Sequence, residues 1–200
     1  MNTLPVMWQE IGSYLRYANA RELALLTINA SILALFSAFF TSNTDWTLLN
    51  VLKPSPLSYG VVVALIAISQ LIIFISFLPT LQSSVSSKSF WVSFARFLRV
   101  SAQRLPSDKR NPFYFGEISQ FESENLYFEH LKNNFPDILT PTDTETSAAY
   151  ACAQQVWLLS VITTRKFAQF NIAMFLVWAA CCYFAAVAAL NLAIYLCNPL

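Results

Sequence analysis

Apolar positions along this chain gather into three long runs instead of alternating with polar ones. Leu23–Phe40 (LALLTINASILALFSAFF) has 18 residues without a charge, and Leu57–Leu78 (LSYGVVVALIAISQLIIFISFL) has 22. No charged residue follows Lys166, so Phe170–Leu196 is a third run. A bilayer core about 30 Å thick takes roughly 20 helical residues. The second and third runs meet that length outright, and the first meets it by borrowing from its flanks. A signal peptide does not explain the first run, because Trp8, Glu10 and Glu22 precede it and no small-residue cleavage site follows. The pattern predicts three transmembrane helices.

Between the second and third runs the periodicity changes. Pro79 ends the second helix, and LQSSVSSKS is a polar linker. In FWVSFARFLRVSAQRL, Phe90, Phe94, Phe97 and Leu98 share a helical face, with Arg96, Arg99 and Arg104 mostly turned away. Such a helix lies on anionic lipid or packs on its own domain. SQFESENLYFEHLKNNF predicts a short amphipathic helix with Phe121, Leu126, Phe128 and Leu131 as its apolar positions. From Asp143 or Thr144 to Leu196 no proline or glycine intervenes. That allows one helix of about fifty residues, roughly 80 Å long, its first half a stalk and its second half the third span. Along the stalk Ala149, Ala153, Val156, Ser160 and Thr163 recur at threes and fours, an expected face for self-association.

Composition agrees with a membrane class. The chain is 56% apolar and 12% charged over 200 residues, outside the soluble range. Arg16 and Arg21 precede the first span, Lys53 alone lies between the first two, and nine Lys or Arg fall in 79–166. That asymmetry places the N-terminus and the middle segment in the cytoplasm, with loop 41–56 and the tail CNPL outside. Trp46 and Tyr195 then lie at the outer interface. The expected fold is all-α: three transmembrane helices with a small helical cytoplasmic domain between the second and third. Its parts are a cytoplasmic segment 1–22, a transmembrane hairpin 23–78, a cytoplasmic domain and stalk 79–166, and a third helix with a short outer tail 167–200. A net charge of +1 argues against binding a nucleic-acid polymer.

Candidate chemistry is sparse. Cys181 and Cys182 are adjacent inside the third run, Cys152 is cytoplasmic and Cys197 is alone outside, so neither a metal site nor a disulfide is expected. His130, the single histidine, reads as a solvated helix residue. No catalytic residue and no enzyme activity are expected. Polar residues within the runs are Asn29, Ser31, Gln70, Asn171 and Asn191. They join helices by hydrogen bonds, or Asn29, Gln70 and Asn171 face one another and line a pore in an oligomer. No Asp, Glu, Lys or Arg lies inside a run, so a proton relay or voltage sensor is not expected. One stretch fits neither helix nor strand: NPFYFGEIS, Asn111–Ser119, sets three aromatics between Pro112 and Gly116.

Three stretches together resemble the membrane-anchored effectors of the pyrimidine cyclase antiphage systems, called Pycsar. They are RYANARELALLTINASILAL (Arg16–Leu35), NPFYFGEIS, and QVWLLSVITTRKFAQFNIAMFLV (Gln155–Val177). The Arg16–Leu35 stretch runs a polar patch into an apolar span containing an asparagine. NPFYFGEIS is similar to the family's asparagine–aromatic–glycine signature. In Gln155–Val177, a glutamine, a serine and an Arg/Lys–Phe step precede the last span. The linker 80–110 is longer than the family's core requires, and an acidic residue expected near Asn19 is displaced to Glu22.

The resemblance implies a bacterial defence effector in the inner membrane. A partner cyclase makes cyclic CMP or cyclic UMP, and the effector responds by impairing the membrane, as a homo-oligomer and with no other cofactor. On that reading Phe113, Tyr114 and Phe115 offer stacking faces and Gly116 a close backbone approach. Arg104, Lys109 and Arg110, or Arg165 and Lys166, hold the phosphate. Alternatively the aromatics plug the cytoplasmic domain against the stalk, with Gly116 in a turn, or touch another protomer. A constitutive scaffold for a cytoplasmic partner is the main rival function; a membrane enzyme is a weaker third.

Overall fold

The computed structural model describes residues 3–41, 55–77, 94, 97, 98, 111, 113–135 and 143–197. The described residues form helices α1 (Thr3–Thr41), α2 (Pro56–Phe77), α3 (Phe115–Ile118), α4 (Glu124–Asn134) and α5 (Asp143–Cys197). Local chemistry sets several ends. Pro56 occupies the first position of α2, where its missing N–H costs nothing, and the Ser55 hydroxyl accepts the Ser58 N–H at 3.2 Å. Ser123 caps α4 by accepting the Leu126 N–H at 3.3 Å. Helix α5 runs unbroken for 55 residues, about 80 Å, as the lack of proline and glycine predicts.

Helices α1, α2 and α5 are each long and apolar enough to cross a membrane. The architecture is therefore all-α with three membrane-crossing helices, as the three apolar runs predict, and the chain is a multi-pass membrane protein. Two compact units divide it: Met1–Arg21 with Leu78–Asn171, and Glu22–Phe77 with Ile172–Leu200.

The first unit has its own apolar core, built from Met7 and Ile11 of α1, Phe115, Ile118 and Phe121, Tyr127 and Leu131 of α4, and Ala153, Val156, Trp157 and Val161 of α5. In this unit Tyr17 meets Phe167 and Arg21 meets Phe170, so α1 and α5 run parallel. Four of the five residues of the stripe expected for self-association face into the chain: Ala153, Val156, Ser160 and Thr163 are 0% exposed, and Ala149 is half-buried. Helix α4 also turns differently from its predicted face. Tyr127 and Leu131, four apart, are buried, whereas Leu126 is exposed one step around the helix. Burial pushes the Tyr127 phenol above its ordinary pKa.

The second unit packs Val62 and Ile66 of α2 against Ala180 of α5, with Ile32, Leu33 and Phe36 of α1 and Phe184 around them. Phe36 and Phe184 meet edge to face at 4.6 Å. Outward-facing side chains include Leu35, Leu71, Phe74, Trp178 and Leu190, the apolar surface a helix bundle turns to lipid. Glu22 opens this unit and is fully buried, its carboxylate accepting the Ser76 hydroxyl. An acidic side chain thus joins the packing of the apolar helices, although the sequence pattern assigns it to the cytoplasmic segment 1–22.

Candidate functional site

The NPFYFGEIS stretch folds as a capped turn leading into α3. The Phe113 N–H donates to the Asn111 side-chain oxygen at 2.9 Å, and the Tyr114 N–H donates to the Asn111 carbonyl at 3.2 Å. Glu117 reaches back to accept the Asn111 backbone N–H. Asparagine suits this place because its short amide mimics a backbone turn. The signature's first and seventh residues therefore close one loop.

The three aromatics have different environments. Phe115 is buried, its ring 5.0 Å from Tyr14, 4.9 Å from Tyr114 and 5.6 Å from Phe167. Phe113 and Tyr114 stay 39% and 47% exposed, with Phe113 edge-on to Phe135 at 5.2 Å. Gly116 lies inside α3. A Cβ there would come 2.8 Å from Cε1 of Tyr114, so the glycine makes room for a ring. Its carbonyl accepts from the Ser119 hydroxyl at 3.0 Å and from the Gln120 amide at 3.2 Å.

From there the chain latches onto α5. The Thr164 hydroxyl donates to Ser119 at 2.9 Å, and the Trp157 indole donates to the Phe121 carbonyl at 3.2 Å. Thr164 and Phe167 share a face of α5 by helical period, while Arg165 and Lys166, both half-buried, fall on the other faces. The expected phosphate ligands Arg104, Lys109 and Arg110 lie outside the described residues. So do Trp46, Lys53 and most of the linker. Within that linker the Leu98 N–H donates to the Phe94 carbonyl at 3.0 Å, one helical turn, and Phe97 is exposed.

A cation is held where α1 meets α5. The Arg21 guanidinium lies 4.1 Å from the Phe170 ring centre, 5.5 Å from Tyr17 and 5.6 Å from Phe167. Such stacking on aromatic faces is worth roughly 0.5–2 kcal/mol and positions Arg21 for far less desolvation than full burial demands. Phe167 thereby touches both the Phe115 cluster and Arg21. The sequence pattern does not reveal this box, because its members are spread over two helices.

Close by, buried polar atoms go unpaired. Among the described residues, neither polar atom of the Gln169 side chain has a hydrogen-bond partner, nor do the Asn19 side-chain oxygen and the Thr163 hydroxyl. In the second unit the Asn29 amide donates to the Ser69 hydroxyl at 3.1 Å, which donates to the Ala173 carbonyl at 3.0 Å. Ser69, rather than its half-buried neighbour Gln70, receives the Asn29 amide; Asn171 falls in the first unit and is half-buried. Among the described residues no group of three or more His, Cys, Asp or Glu is placed to hold a metal ion.

Comparison with known proteins identifies a family. Residues 6–194 match the Pycsar effector protein domain, a span that takes in all five helices but for their outermost residues. No curated protein and no solved structure matches the chain. The match covers most of the chain, and the chain belongs to the Pycsar effector family of antiphage defence.

Proposed function

We propose that this protein is a switch in the bacterial inner membrane, thrown by a cyclic pyrimidine mononucleotide. Cyclic CMP or cyclic UMP, made by a partner cyclase, binds the first unit, whose residues face the cytoplasm along with the N-terminus. The apolar helices respond by impairing the membrane as a homo-oligomer, without enzyme chemistry of their own. The family match across 6–194 carries this reading.

Two features of the molecule support it. Helices α1 and α5 each contribute residues to both units without a break. Asn19, Thr163 and Gln169 also bury polar atoms in the first unit, groups that a different arrangement would pair differently. A ligand moves such an equilibrium only if it binds one arrangement more tightly than the other. An effector that leaked without its signal would harm its host, so the resting state must be closed.

The experiment is expression in bacteria carrying a membrane-potential dye and an inducible pyrimidine cyclase. The expected result is normal potential until the cyclase is induced, followed by depolarisation. If induction leaves the potential unchanged while the protein is present in the membrane, a constitutive anchor for a cytoplasmic partner becomes the better account.

A further inference from the structure

Beside its buried face, α1 carries another stripe. Met7 and Ile11 enter the core of the first unit, whereas Trp8, Gly12 and Arg16 recur every four residues one step around the helix. With Gln9, and with Gln155, Leu158 and Leu159 of α5, they line a cleft of about 480 Å³. Small-ligand sites run from about 300 to 1,000 Å³.

The cleft is chemically graded along its length. Trp8, 45% exposed, offers a flat indole at one end. Arg16 offers a guanidinium at the other, with no acidic partner among the described residues. Eight residues of helix rise, roughly 12 Å, separate them, and both side chains are long enough to reach inward. Between them stands Gly12. A Cβ at Gly12 would meet nothing within 4 Å, so packing does not demand glycine there, although glycine is a poor residue for a helix interior. It keeps the middle of the cleft open. Gln9 and Gln155 each bring an amide donor and a carbonyl acceptor, and Leu158 and Leu159 supply apolar surface.

We propose that this cleft is the nucleotide site, an inference that rests on the function proposed above. The pyrimidine stacks on Trp8, as bases do on aromatic side chains. A glutamine amide pairs with the edge of the base, donating to N3 and accepting from the exocyclic amine of cytosine, or donating to a carbonyl and accepting from N3–H of uracil. The singly charged cyclic phosphate sits on Arg16, and Gly12 leaves room for the ribose. The site is distinct from the Phe113–Gly116 turn, which packs on α5 through Thr164 and Phe167.

Titration calorimetry of the full chain in detergent, with cyclic CMP and cyclic UMP, tests this. The parent protein is expected to bind at least one of them. Gly12→Leu fills the cleft while favouring the helix, and should lower affinity tenfold or more with a melting temperature no lower than the parent's. Arg16→Gln should do the same, and Tyr114→Ala should bind like the parent. If Gly12→Leu and Arg16→Gln both bind like the parent, the cleft is not the site, although the effector reading survives. If the parent binds neither nucleotide, both readings fall together. If Gly12→Leu binds normally but yields a smaller oligomer by light scattering, the cleft is a contact between copies of this chain and the ligand assignment is overturned.

Discussion

The ring of Phe115 lies 5.6 Å from that of Phe167, tilted by 31°. One buried aromatic of the asparagine–aromatic–glycine turn is thereby keyed to the long last helix, while its two aromatic neighbours remain open to solvent. Phe115→Ala should cost about 3–5 kcal/mol, as large-to-small changes at buried aromatics do. Tyr114→Ala should stay within roughly 0.5 kcal/mol. Thermal melting in detergent checks both. Equal melting temperatures for the two variants would remove Phe115 from the core.

Gly116 behaves unlike a turn glycine. The atom its Cβ would crowd belongs to the half-exposed Tyr114 ring, which is free to swing outward. Gly116→Ala should therefore be neutral or stabilise the chain by up to about 1 kcal/mol through helix propensity. A loss above about 2 kcal/mol would mean that the Tyr114 ring is fixed where it stands.

The α5 stripe gives a prediction about folding. Ala153 is fully buried and Ala151 exposed. Ala153→Glu sets a carboxylate in the apolar core and should cost several kcal/mol, enough to prevent recovery of a monodisperse protein. Ala151→Glu should be recovered normally. Size-exclusion profiles of the two variants decide, and a well-folded Ala153→Glu protein of reduced oligomer size would return this face to self-association.

The hydrogen-bond chain in the second unit predicts an order of effects. Asn29→Leu removes one bond and also an unpaired buried oxygen, whereas Ser69→Ala severs both links. Interhelical bonds of this kind are worth about 0.6 kcal/mol, at most about 1.7. Ser69→Ala should accordingly lower stability more than Asn29→Leu does. Thermal melting of the two variants side by side would show the reverse order if Asn29 mattered chiefly through a contact outside this chain of bonds.

Orientation is tested with the free cysteines. Cys152 is half-buried and Cys197 exposed. In single-cysteine variants on intact spheroplasts, a membrane-impermeant maleimide should label Cys197 and spare Cys152. The opposite labelling would put the unit proposed to bind nucleotide outside the cell.

The helices were legible in the sequence because each rests on a local signal. Three uncharged runs, Pro56 behind Ser55, and the absence of breakers from Asp143 onward needed no knowledge of distant residues. Which face of a helix meets which partner is a different matter. Ala153, Val156, Ser160 and Thr163 look the same from sequence whether they face another copy or the chain's own core, and their burial is a property of tertiary packing. Leu126 and Tyr127 are both apolar enough for a core, and the start of α4 at Ser123 decided between them. The signature turn was legible as a unit, but not that Asn111 and Glu117 close it. The cleft at Gly12 is not legible in the sequence, because Trp8, Arg16 and Gln155 gain joint meaning only once α1 and α5 lie side by side.

The Ser69 hydroxyl joins residues that the ribosome makes at very different times. Asn29, its donor, is 40 residues upstream, while the carbonyl that receives its own proton is 104 residues downstream, at Ala173. At about 5–20 residues per second, the hairpin of α1 and α2 waits roughly 5–20 s for that partner. Through this interval Glu22 already has Ser76 and Asn29 already has Ser69, so the two early helices can recognise each other in the bilayer. What they lack is the surface on which Val62 and Ile66 close. A nascent chain cut short before α5 would hold an open groove and a Ser69 hydroxyl without its Ala173 acceptor in lipid.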